Sequence, residues 1–288
     1  MAAQQPVTSS SSPLAEAVLS WGRSRGSVVL AFLFLEASLV LDSPERLLPW
    51  GVGLLVNSLL IALAQRAPLL TRAGWVHAGI LGTLLWGCLG WTGWLAVVLY
   101  LLLGSVVTRL GLRRKQELGL AEGRGGRRGP ENVWGSAATG ACLALLCSLP
   151  WAPVPLLLIG FAASFSAKLA DTCGSEIGKR WGRHTVLVTT LRPVPAGTEG
   201  AISLEGSLAS LVGSALMALI ALQLGLLEGS TAWLLVTLVG LVATLIESLI
   251  GATLQGRIDW LSNELVNGLQ TLIAALLAIG LAGLLRIA

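Results

Sequence analysis

The sequence predicts an all-α fold, a polytopic transmembrane helix bundle of about nine spans. Three observations carry that prediction. Of 288 residues, 54% are hydrophobic and only 12% charged, about half the charged share of a soluble domain, and mean hydropathy is +0.78. The apolar residues gather into runs of membrane-crossing length. Lys and Arg alternate between crowded and nearly empty connections.

The elements follow in order. Met1 to Pro13 is Ser-rich and free of charge, and residues 1–26 read as a disordered or amphipathic tail. It lacks the basic start and apolar run of a cleaved signal peptide. Residues 27–288 read as a single transmembrane catalytic domain. Its spans are expected at 27–42, 47–64, 74–90, 92–110, 133–149, 152–170, 201–227, 230–253 and 264–286. Trp50, Trp75, Trp91, Trp94, Trp134, Trp151, Trp233 and Trp260 fall near span ends, where an amphipathic ring prefers to sit. Glycines such as Gly82, Gly140, Gly206, Gly213 and Gly251 are expected to let helices approach closely.

The basic residues orient the bundle. Arg23 and Arg25, then Arg66 and Arg72, then Arg109 to Arg128, then Lys168 to Arg192, and finally Arg257 occupy alternate connections. The positive-inside rule puts that side, with the N-terminus, in the cytoplasm or its equivalent compartment. The motif segments 109–132, 168–200 and 254–267 then share one face. Nucleic acid is not an expected partner, because no basic groove with interleaved aromatics is present. Cys88, Cys142, Cys147 and Cys173 form neither a disulfide framework nor a zinc spacing.

The chemistry is expected in two motifs. The first is Lys168-Leu-Ala-Asp171-Thr-Cys-Gly-Ser175-Glu176, followed by Lys179. Asp171 and Glu176, five positions apart, would point to different faces of a continuous helix; Gly174 is expected to loosen it and turn both toward one site. Two carboxylates beside a phosphate suit Mg²⁺, while Lys168, Lys179 and Arg180 equally suit plain salt bridges. Gly174 to Lys179 is not a P-loop, being too short and following a membrane helix.

The second motif, Arg192-Pro-Val-Pro-Ala-Gly197-Thr198-Glu199-Gly200, reads as a rigid turn into the next span. Thr198 and the N-terminal amides of that span, near Ser203, suit an anion, or simply cap the helix. Glu205, inside that span, needs a partner or a cavity. Glu247, Gly251 and Gln255 share a helix face, so Glu247 is a candidate third carboxylate, with Gln255, Asn263 and Asn267 in the same polar cluster. Arg124 to Asn132, including Arg128, suits a nucleotide cover or anionic lipid. His77 reads as a satisfied interfacial histidine, and Glu36 lies toward the opposite leaflet.

At these residues the chain resembles the integral membrane phytyl-phosphate kinases of tocopherol and phylloquinone synthesis, and more distantly the CTP-dependent polyprenol, dolichol and phytol kinases. The resemblance rests on Lys168 to Gly178, Thr189 to Ser203, Gly206 to Ala209, and Glu247 to Gln255 with Asn263 and Asn267, covering the C-terminal two-thirds. It implies phosphoryl transfer from CTP to phytyl monophosphate, with Mg²⁺ on Asp171 and Glu176. A phosphomonoester, largely ionised at neutral pH, needs no strong base. The rival readings are a kinase of the free isoprenoid alcohol, a CDP-lipid-forming cytidylyltransferase, and a transporter. Transport calls for polar groups at the midplane, whereas these crowd one side.

Overall fold

The computed structural model describes residues 44–120, 126–255 and 257–287. The tail, the predicted span 27–42, Glu36 and Arg124 lie outside them. The elements run α1 (Pro44–Ala64), α2 (Arg72–Arg109), α3 (Leu112–Glu117), α4 (Pro130–Cys147), α5 (Val154–Trp181), β1 (Val186–Leu187), β2 (Ala201–Ile202), α6 (Leu204–Gln223), α7 (Gly229–Thr253) and α8 (Asn263–Leu285). The chain divides into two compact units, Met1–Gly51 and Val52–Ala288. Of the first, only the opening of α1 is described; everything below belongs to the second.

The fold is all-α, as expected, apart from one short two-stranded ribbon. Among the described residues six helices are long and apolar enough to cross a membrane, fewer than the nine spans predicted. α4 is not one of the six; its 18 residues open on Pro130-Glu131-Asn132, which dilutes its apolar length. α2 merges two predicted spans into one run of 38 residues. A straight helix of that size would reach about 57 Å, nearly twice the hydrocarbon thickness of about 30 Å.

It is not straight. Gly90 leaves helical geometry with φ 68° and ψ −164°, a conformation reserved for glycine. Trp86 and Trp94, eight residues apart, bring their ring centroids to 5.1 Å; a continuous helix would hold them about 12 Å apart along its axis. The Trp94 indole donates to Asn57 Oδ1 at 3.1 Å. That same oxygen lies 2.1 Å from where a Cβ on Gly82 would stand. The two arms, 72–89 and 91–109, therefore fold back on one another, as the separate spans 74–90 and 92–110 anticipated. Trp75, Trp94 and Trp134 turn inward rather than into a headgroup belt: Trp75 is buried, and Trp134 donates to His77 Nδ1 at 2.9 Å, which satisfies that histidine. Trp151 and Trp260 are exposed near helix ends, as expected.

α5 is the central helix. It packs against α2, α4, α6, α7 and α8, and Phe161, Phe165 and Leu169 along it are almost fully enclosed. The outer helices turn Leu63, Leu208, Val212, Leu234 and Leu276 outward, as a lipid-facing surface requires. At 28 residues α5 spans about 42 Å, about two turns more than a hydrocarbon core of about 30 Å, and its charged residues gather in its C-terminal turns.

Those turns carry the first motif as helix, not as the predicted loop. Gly174 does not loosen α5. A Cβ there would stand 2.1 Å from Ser210 Oγ and 3.2 Å from the Gly206 carbonyl, and one on Gly206 would meet the Gly174 carbonyl at 2.9 Å. The glycines serve close contact between α5 and α6 rather than a break.

The hairpin in α2 makes a direct prediction. In a chain whose native cysteines are replaced by Ala, Trp86→Cys together with Trp94→Cys will cross-link on mild oxidation and lose maleimide labelling at both thiols. Full labelling after oxidation would mean that the arms do not fold back.

Candidate active site

The C-terminal ends of α2, α5 and α7 and the N-terminal ends of α4, α6 and α8 meet at one end of the bundle. Antiparallel alternation of these helices puts every motif segment there. Between them lies a cavity of about 230 Å³. Of the residues expected at the site, Lys168, Asp171, Ser175, Lys179, Gly197, Thr198, Glu199, Gly200, Ser203, Glu247, Asn263, Asn267, Arg128 and Asn132 all line it.

Its floor is a fixed polar cluster. Lys168 is buried, forms an ion pair with Asp171 one turn further along α5, and donates to Asn267 Oδ1 on α8 at 2.8 Å. A buried ammonium with two oxygen partners meets the requirement that charge removed from water be paired. Glu247 on α7 lines the same cavity as Asp171, Glu199, Lys168 and Lys179. Beneath them Gln270 donates to the Ala167 carbonyl at 3.1 Å and to Thr244 Oγ1 at 3.2 Å, tying α5, α7 and α8 together. At the rim Asn132 accepts from the Gly129 amide at 2.9 Å, capping α4, and donates to Glu264 at 3.2 Å.

The second motif forms one wall. β1 pairs antiparallel with β2, Val186 opposite Ile202 and Leu187 opposite Ala201, so the expected rigid turn is the loop of a β-ribbon. Gly197 (φ 87°) and Gly200 (φ 73°) occupy left-handed backbone. A Cβ on Gly200 would stand 2.3 Å from that of Ala252, so the loop can rest on α7 only with glycine there. The Thr198 hydroxyl donates to the Pro195 carbonyl at 2.7 Å. Ser203 Oγ accepts from the Gly206 amide at 3.1 Å, capping α6. Both keep the loop in shape, and both still face the cavity.

Four expectations are corrected by placement. Glu176 is absent from the cavity. Because α5 stays helical, its carboxylate points to another face, where it forms a fully buried ion pair with Lys115 of α3 and lies 3.5 Å from Lys179 Nζ. Lys115 also donates to the Thr108 carbonyl at 2.7 Å. Arg192 is exposed on the loop, away from the cavity, and its carbonyl accepts from the Leu187 amide at 3.0 Å. Glu205, in the first turn of α6, and Gln255, past the end of α7, also lie outside the lining.

Lining residues the sequence did not single out are Tyr100, Ser136, Thr172, Thr185, Ser210 and Thr244. Each is a hydroxyl within or beside an apolar run, a pattern that packing alone also produces. Only the spacing of Thr172 beside Asp171 offered a signal.

Among the described residues no three His, Cys, Asp or Glu side chains stand close enough to hold a metal ion by themselves. Asp171, Glu199 and Glu247 nevertheless offer hard oxygens to the cavity. Mg²⁺ needs only one or two carboxylates when phosphate oxygens complete its shell, so this donor set fits it.

Removing Lys115 leaves the buried Glu176 with only the Lys179 ammonium at 3.5 Å, so Lys115→Met will destabilise the protein by up to about 3–5 kcal/mol. Lys115→Met combined with Glu176→Leu will recover most of that loss in thermal unfolding in detergent. Equal instability of single and double variants would mean the pair is not isolated.

Residues 55–275 match the family described as Integral membrane protein DUF92. The chain is 48% identical over 206 residues to the Uncharacterized membrane protein sll0875 of Synechocystis, covering 70% of this chain and 80% of that protein. It is 37% identical over 250 residues to Protein VTE6, chloroplastic, of Arabidopsis thaliana, covering 83% of this chain and 74% of that protein. A membrane protein of Methanocaldococcus jannaschii is 29% identical over 180 residues, covering 62% and 72%. No solved structure matches. The match spans the helices and loops that build the cavity, and the chain belongs to the DUF92 family of integral membrane proteins, the family to which its motifs pointed.

Proposed function

We propose that this chain is a membrane kinase that transfers a phosphoryl group from a nucleoside triphosphate, CTP, to phytyl monophosphate. The observation that carries the reading is the cavity floor. Lys168, Asp171 and Asn267 are locked together from two helices, Glu247 stands beside them, and Lys179 and Arg128 complete a cationic lining. Similarity to Protein VTE6 over most of both chains supports the same reading.

Phosphoryl transfer asks a protein mainly to position two phosphates and neutralise their oxygens. Lys168 and Lys179 offer point charges, Arg128 a planar fork, and the Gly197–Gly200 loop a backbone that approaches closely. A phosphate oxygen of the acceptor bonds to the γ-phosphorus, the bond from that phosphorus to the β–γ bridging oxygen breaks, and the nucleoside diphosphate leaves with that electron pair. The acceptor oxygen is already ionised, so no proton has to be removed. Asp171 and Glu247 would hold Mg²⁺, which when bound neutralises the polyphosphate. Lys168 fixes the orientation of Asp171. Glu176 acts from behind, holding α3 against α5, and is a positioning residue in this scheme. The active site faces the cytoplasm or stroma, the side where the basic loops belong.

The test is purified protein in detergent with Mg²⁺, phytyl phosphate or phytol, and each of the four nucleoside triphosphates. Diphosphate will form from phytyl phosphate with CTP, and Asp171→Asn will lower turnover at least about a hundredfold. Monophosphate formed from phytol would transfer the reading to an alcohol kinase. Undiminished turnover in Asp171→Asn would remove the metal role. Glu247→Gln will raise the Mg²⁺ concentration for half-maximal rate about tenfold or more; an unchanged requirement would remove Glu247 from the metal's ligands.

A further inference from the structure

A second cavity adjoins the polar one. It has about 80 Å³ and lies between residues 57–61 of α1, both arms of the α2 hairpin, and the start of α4. Its walls are apolar, and Tyr100, Arg128, Asn132 and Ser136 line both cavities. Ala78 and Ala137 line it with small side chains, while Gly79 and Gly82 let α1 pack closely along its edge, where an added Cβ would meet Ile61 Cδ1 at 2.8 Å and Asn57 Oδ1 at 2.1 Å. Trp75 contributes a wall whose buried indole N–H has no hydrogen-bond partner.

Arg128 stands at the seam between the two. Its amide donates to the Leu69 carbonyl at 3.1 Å, and its carbonyl accepts from the Thr71 amide at 3.0 Å. The guanidinium lies over the Tyr100 ring at 5.4 Å and donates to its hydroxyl at 3.3 Å. A Cβ on Gly104 would stand 2.6 Å from its terminal nitrogen, so the arginine lies across bare backbone. A cation held at the junction of a polar and an apolar cavity matches a ligand with an anionic head and a hydrocarbon tail.

We propose that the apolar crevice seats the head-proximal isoprene units of a prenyl monophosphate, with Arg128 gripping its phosphate at the seam. The proposal rests on the kinase reading and assigns that reading's acceptor its place. The crevice is far smaller than the roughly 300–1,000 Å³ of a pocket that encloses a whole small ligand. It takes the first part of the tail and leaves the rest to the lipid outside the bundle. The phosphate thereby points into the polar cavity, toward Lys168 and Asp171, while the chain never leaves apolar surroundings. A bulky diacyl headgroup lacks the single unbranched junction that this narrow seam accepts.

The experiment is photolabelling in detergent, without nucleotide, using a twenty-carbon prenyl monophosphate that carries a diazirine near its phosphate end. Label is expected in peptides covering 78–101 and 133–137, with competition by unlabelled prenyl monophosphate and none by phosphatidic acid. Ala78→Phe and, independently, Val98→Phe fill the crevice and will reduce that label about tenfold, the effect of excluding about two methylene-sized contacts. Arg128→Gln will reduce labelling by the phosphate probe but not by the corresponding alcohol probe. Thermal melts identify a variant that fails to fold, leaving the other to decide. Label spread over lipid-facing helices, equal competition by phosphatidic acid, or undiminished label in the folded crevice variants would overturn the proposal. This readout needs no phosphoryl transfer, so a chain that binds the probe in the crevice yet makes no diphosphate refutes the kinase reading alone.

Discussion

α5 and α6 approach one another across Gly174, Gly178 and Gly206, where backbone stands against backbone with no room for a Cβ at Gly174 or Gly206. That contact is the constraint from which the site follows. It lets α5 remain helical for about two turns more than a hydrocarbon core needs, through a stretch rich in charge and glycine that in isolation favours a break. Tertiary packing supplies what helix propensity withholds. Because the helix continues, its side chains are sorted by face, and the sorting decides which charges meet ligand and which meet protein.

Two ion pairs come from that sorting. Lys168 and Asp171 share a face and stand at the floor of the cavity, Asp171 partly open and the buried Lys168 steadied by Asn267. Glu176 looks toward α3 and closes on Lys115 with both side chains inaccessible. Their energetics differ accordingly. A fully buried pair is costly to break and contributes little that a well-packed apolar pair would not, so the Lys115–Glu176 link fixes geometry. The Lys168–Asp171 pair keeps exposure on the cavity side, where an incoming phosphate can share the ammonium. One helix thus carries both the reacting face and the attachment of the loop behind it.

The surroundings of the cavity suit a reaction at the boundary between water and lipid. Its upper wall is a glycine-bearing ribbon loop resting on α7, and its side wall opens through Tyr100 and Arg128 onto an apolar crevice. For the proposed kinase, such a junction would reconcile a polyanionic donor with an acceptor that stays in the bilayer. The hairpin of α2 is essential to it, because only by folding back at Gly90 does that helix place Trp75 and Val97 on the same crevice.

The sequence by itself determined the membrane class, the boundaries of most helices and the gathering of motifs at one end. Those follow from hydropathy and from the alternation of basic loops, which are local properties of the chain. It also located the charged part of the cavity lining, since residues such as Lys168, Asp171 and Glu247 are polar residues in or beside apolar runs and so announce themselves. Which of two carboxylates faces the site was decided only by the tertiary structure. Gly174 reads alike as a break or as a contact, and only the presence of Ser210 and Gly206 opposite makes it a contact. Lys115 carried no signal, because one basic residue in a basic loop looks like its neighbours until a buried glutamate is folded against it. The same holds for Tyr100 and the hydroxyls, whose orientation depends on partners distant along the chain.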